Sequence, residues 1–165
     1  MIEQDFLNYS ADTLLELAGR IEDCLGRLTN EQIWLRHSDN ENAVGNLVLH
    51  LCGNVNQWIG SGIGGKADVR ERHKEFEARS GELGTRLKDT ITEATKIIRN
   101  VPAARLADRL KIQGYDTTGL KAIYHVVDHF AGHTAQIIFA TKLLTGKDLG
   151  YYAHLNKPKQ AEAAR

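Results

Sequence analysis

Apolar residues return every three or four positions through four long stretches of the chain, and nowhere do they alternate with polar residues for long enough to predict a sheet. From Phe6 to Leu28 the positions Phe6, Leu14, Leu17, Ile21, Leu25 and Leu28 keep helical spacing. The following LTNEQIW reads as a turn with a helix cap at Thr29 or Asn30. A second helix is predicted from about Asn40–Asn42, with Val44, Leu47, Val48, Leu51, Val55, Trp58 and Ile59 on one arc, until GSGIGG breaks it. KADVRERHKEF reads as a loop. A third pattern runs through Phe76, Leu83, Leu87, Ile91, Ala94, Ile98 and Val101 to Pro102. QGYDTTG then opens a fourth helix, Leu120 to about Leu144, which Gly146 stops. Both prolines, Pro102 and Pro158, lie outside the periodic segments, so the helices are uninterrupted. The expected fold class is all-α, and four amphipathic helices of similar length predict a four-helix bundle.

The chain of 165 residues is long enough for one domain with a real core. We place that domain at residues 1–155, with 156–165 as a flexible tail. Lysine plus arginine equals aspartate plus glutamate at 21 each, which removes the general attraction for phosphate backbones and anionic membranes that a basic protein has. Nucleic acid is therefore not an expected partner. The stretches KADVRERHK and NKPKQAEAAR mix charges in the manner of a solvated surface. Cys24 and Cys52 are too few for a disulfide scaffold and suit a reduced compartment. MIEQDFLNYS lacks the basic start and apolar run of a signal peptide, and no segment reaches the ~20 apolar residues of a membrane span. The expected setting is cytoplasmic, without a membrane.

Against this background the histidines of YHVVDHFAGHTAQ stand out, because His125, His129 and His133 are spaced four apart. On a helical wheel His133 lies roughly 70°, His129 roughly 110° and His125 roughly 150° from the fourth helix's apolar stripe, so His125 points furthest from the core. On the second helix His50 sits roughly 120° from its own apolar centre, with Asn54 one turn further along. Two imidazoles one turn apart can reach one metal ion, and a third from a neighbouring helix closes a triad. His50, His129 and His133 are the candidates. The same spacing also fits packed, hydrogen-bonded histidines at a core edge, and the spacing alone leaves both readings open. Asn54, Asp128 and Gln136 are the nearby acceptors for the ligand rings' other nitrogens, and the wheel places Gln136 beside His129. Trp58 is read as a core or rim aromatic at a pocket mouth, and Cys52 as a small core residue. His37, His73 and His154 are expected on the surface. HVVDH approaches the inverted metallopeptidase pattern but carries Asp128 where that pattern needs a glutamate.

NLVLHLCGNVNQWI on the second helix together with HVVDHFAGHTAQI on the fourth resembles the DinB/YfiT-like superfamily, and in particular one of its uncharacterised bacterial branches. The resemblance covers almost the whole chain, including GGKADVRERHKEF and LLTGKDLGYY. It implies a four-helix bundle, commonly homodimeric, with a divalent metal held by His50, His129 and His133, and no ligand role for His125. Ala135 in HTAQ stands where the family often has glycine, a change a helix accepts readily. Some relatives are transferases that use a low-molecular-weight thiol. Three neutral imidazoles suit zinc or nickel and leave a position for such a small-molecule substrate. A thiol S-transferase-like activity is thus expected. The alternatives are a metal-dependent hydrolase, in which activated water attacks a carbonyl, and a non-catalytic, stress-related bundle that binds metal or ligand. No residue is assigned as the catalytic base.

Overall fold

The computed structural model describes residues 2–156, so the tail expected from 156 onward lies, but for Asn156, outside the described residues. The first helix, α1, spans Ile2–Arg27. Thr29 then caps a single turn, α2 (Asn30–Ile33), through a capping box: its hydroxyl accepts from Gln32 N, and the Gln32 side chain accepts from Thr29 N at 2.9 Å. Next comes α3, Val44–Val55, which continues without a break into a π-helix, Asn56–Ile63. The expected stop falls within the glycine-rich stretch, after Ile63, and is reached through this widening. Glycine favours the α-helix least after proline, and the wider turn is read in bonds such as Gly64 N to Ile59 O at 2.8 Å.

After the π-helix the backbone runs without regular structure to a short helix, α4 (Arg72–Glu77), and then to α5, Leu83–Arg99. Phe76, assigned from periodicity to the third long helix, belongs to α4. A hairpin follows: β1 (Arg109–Ile112) pairs antiparallel with β2 (Tyr115–Thr118), with Arg109 opposite Thr118. The pattern predicted no sheet, because four residues per strand are too few to display alternation. Gln113 and Gly114, both at positive φ (54° and 83°), form its two-residue turn. The last long helix, α6, spans Gly119–Thr145 and ends, as expected, at Gly146 in the left-handed region.

The bundle consists of α1, α3, α5 and α6, with α1 packed on α5 and α6, and α3 on the same two. Leu7, Leu14 and Ile21 of α1, Val48 and Leu51 of α3, Leu87 and Ile98 of α5, and Ile123, Phe130 and Ile137 of α6 are fully buried between them. All of α3 is buried, on every side. The bundle covers its apolar faces, and the segment after the π-helix, which includes α4, covers its remaining polar side. No helix among the described residues is long and apolar enough to cross a membrane.

Candidate metal centre

His50 leaves the middle of α3, while His129 and His133 leave successive turns of α6 where the two helices pack. His50 is buried and the other two are half-buried, so solvent reaches the cluster from the α6 side. Each of the three offers a ring nitrogen, and these nitrogens lie within 4.8 Å of one another. His50 Nε2 and His129 Nε2 are 3.0 Å apart. The His129 and His133 rings meet edge-on at 4.5 Å, and the His50 and His133 rings at 5.2 Å.

The partners of the outer nitrogens decide which way the inner ones face. His50 Nδ1 lies 3.0 Å from Glu75 Oε2. Arg70 grips the same carboxylate twice, Nε to Oε1 at 2.8 Å and Nη2 to Oε2 at 2.9 Å, and its Nη1 donates to Gln57 Oε1 at 2.9 Å. Arg70 Nη2 also stands 3.1 Å from His50 Nδ1, but its hydrogens have other acceptors, Glu75 Oε2 and the His50 carbonyl at 3.5 Å. A lone pair on Nδ1 would face a carboxylate oxygen, so the proton belongs on Nδ1, leaving the Nε2 lone pair aimed into the cluster. His133 repeats the arrangement on the other side, with Nδ1 2.8 Å from Gln136 Oε1, an oxygen that can only accept. Gln136 thus serves His133, not the His129 that the wheel assigned it.

Electrostatics favours the neutral form of the two α6 rings. Burial, followed by the fields of His133, His50, His125 and Arg70, pushes His129 down to about 4. Burial also lowers His133, against the opposing hydrogen bond of Gln136. For Glu75, burial would raise the carboxyl, but the hydrogen bonds and charges of Arg70 and His50 outweigh it and hold the group below its ordinary value. Neutral imidazoles with converging lone pairs form the donor set that a divalent ion requires, and two nitrogens of a tetrahedral zinc site stand about 3.3 Å apart, close to the His50–His129 spacing. The residues present fit such an ion.

His125 lies outside the three-nitrogen group, as expected, yet it does not point into solvent. Its ring is half-buried, tilted against Trp58 at 4.1 Å between centroids and nearly parallel to His129 at 5.6 Å. The wheel placed it relative to the stripe of α6 alone, whereas the π-helix brings Trp58 over it. Trp58 and Asn54 are buried, and their Nε1 and Oδ1 are the buried side-chain polar atoms without a hydrogen-bond partner among the described residues. Asp128 is exposed beside the cluster, and its charge acts on His125. Cys52 is fully buried, its thiol raised to about 11 by burial, in keeping with a core role. His37, His73 and His154 are exposed.

Arg70 was missed because KADVRERHK reads as solvated surface, and Glu75 because KADVRERHKEF reads as a loop. Their side chains are only 5% and 7% exposed. An acid five residues from an arginine carries no helical or strand spacing, and the one available signal was Gly53, where a side chain would collide with the Glu75 carboxylate.

A helical bundle of this connectivity is the fold of a solved DinB-like protein, and here it carries a histidine cluster between α3 and α6. More narrowly, the chain belongs to the family described as proteins of unknown function DUF1572, whose profile matches residues 1–159. Among solved structures, a conserved protein from Enterococcus faecalis superposes with a TM-score of 0.65 at 14% identity, over 84% of this chain and 96% of its own. The DinB-like protein YjoA from Bacillus subtilis gives 0.61 at 13% identity, over 92% and 98%. No curated protein matches the sequence.

Proposed function

We propose that this protein is a single-domain, divalent-metal-dependent enzyme in which His50, His129 and His133 hold one zinc or nickel ion and a low-molecular-weight thiol is the nucleophile. The observation that carries the reading is the convergence of three imidazole nitrogens within 4.8 Å, two with their opposite nitrogens occupied by acceptors. A bound divalent ion would supply a Lewis acid that lowers the pKa of a thiol or water at an open position. The chain's own residues do the rest. Glu75 and Gln136 fix two ring tautomers, burial keeps His129 unprotonated at neutral pH, and Trp58 with His125 walls one side of the cluster against water. Because His129 and His133 are half-exposed, a small substrate can approach from the α6 side. The neutral charge balance and reduced cysteines support a cytoplasmic setting, and the exposed Tyr124, Phe139 and Leu143 of α6 support pairing with a second copy of the chain.

The test is metal content of the purified protein and of the His129→Ala/His133→Ala variant, followed by thiol transfer to model electrophiles. We expect near-stoichiometric metal in the parent, its loss in the variant, and thiol transfer that needs the metal. Ester or amide hydrolysis without thiol would move the reading to a hydrolase. Metal with neither activity would leave a non-catalytic metal-binding bundle.

A further inference from the structure

Asn46, His50, Gly53 and Gln57 lie along one side of α3 and the π-helix, at helical spacings of four, three and four. Each of them meets the segment from Lys66 to Ala78. Asn46 Nδ2 donates to the carbonyls of Glu75 at 2.9 Å and Ala78 at 3.0 Å. Gly53, having no side chain, admits the Glu75 carboxylate and the Arg70 guanidinium against the helix. Gln57 accepts from Arg70 Nη1 at 2.9 Å and donates to Asp68 Oδ2 at 2.8 Å, while Asp68 Oδ1 accepts from Arg70 N at 3.1 Å. Between them His50 meets Glu75, and the Phe76 ring packs on the imidazole at 4.9 Å.

A buried ion pair contributes little stability compared with apolar residues of the same volume, because desolvation offsets the attraction. What Arg70 and Glu75 supply that apolar residues would not is an acceptor fixed at His50 Nδ1. A carboxylate there locks the ring and raises the basicity of Nε2. In return, an imidazole that shares its Nε2 lone pair becomes a stronger donor from Nδ1, which tightens the bond to Glu75. By linkage the two effects are equal in free energy.

We propose that Glu75, held by Arg70, is the positioning residue for the His50 ligand, and that the same bond docks residues 66–78 onto α3. Metal binding at the three histidines and docking of this segment then strengthen each other. The inference rests on the metal-ligand reading above.

Zinc affinity, measured by competition with a chromophoric chelator, and amide hydrogen exchange of residues 66–78, with and without zinc, test both halves in the parent and in Glu75→Gln. The expected results are zinc binding weakened about 10- to 100-fold in the variant, and a zinc-induced slowing of exchange in the parent that the variant loses. Should the variant fail to fold, a long-range proton–nitrogen NMR spectrum of the metal-free parent gives the tautomer directly, with the His50 proton expected on Nδ1. Equal zinc affinity in parent and variant, or a His50 proton on Nε2, overturns the positioning role while leaving the metal site standing. Exchange of 66–78 that ignores zinc overturns the docking. A parent that binds no zinc overturns both this inference and the ligand assignment beneath it.

Discussion

Burial, with the neighbouring imidazoles and Arg70, takes the His129 ring from its ordinary 6.5 to about 4, and burial lowers His133 in the same direction. An unfolded chain therefore binds more protons than the folded one between those values. Stability from His129 is fully present above about 6.5 and is lost as the pH falls through about 4, and His133 acts in the same direction. With chelator present to keep the protein metal-free, the urea midpoint of the parent should fall between pH 7.5 and pH 5.0, and His129→Gln should show a smaller fall. Equal falls would mean that the ring is not held neutral by its surroundings. At this scale the sequence carried the pairing of His129 with His133, because a helix makes neighbours of residues four apart, while His50 joins them only where α3 packs on α6. It could not carry the partners: Gln136 is found beside His133, and Glu75 comes from a segment with no periodicity at all.

The elements divide in the same manner. Thr29 and Gly146 mark helix boundaries through local chemistry, a capping box and a left-handed turn, and both were legible. The π-helix, the hairpin and α4 were not, since each is short and is fixed by what it packs against. Ile112 of β1, for example, seats against Gly62 of the π-helix, where a side chain would collide with it. Glycine substitutions separate the two situations. Gly19→Ala, in the exposed middle of α1 with nothing near the added methyl, should stabilise by about 0.5–1 kcal/mol through helix propensity. Gly53→Ala adds the same methyl to α3, against the Glu75 carboxylate and Arg70, and should instead destabilise by about 1–3 kcal/mol. Denaturant titrations of both variants check the opposite signs. A stabilising Gly53→Ala would mean that Arg70 and Glu75 are not seated against this helix.

For the whole molecule, the consequence of placing α3 at the centre is that its side chains reach solvent only when the bundle opens. Cys52, on that helix, and Cys24, on α1, are both fully buried. Burial raises the Cys52 thiol to about 11, so little thiolate exists at neutral pH even if reagent enters. Labelling of both cysteines by a thiol reagent should therefore follow the global unfolding rate, slowing in proportion as a stabilising ligand such as zinc is added. Labelling of either one faster than unfolding would reveal a local opening of the bundle. The sequence by itself determined the four long helices, their apolar faces and the histidines set along them, because helical periodicity is a property of neighbours in the chain. Only the tertiary structure decided that α3 is covered on its polar side by residues 66–78, that Trp58 shields His125, and that a buried ion pair stands behind His50. Those contacts join segments distant in sequence, and their energies depend on burial and orientation that no local pattern encodes.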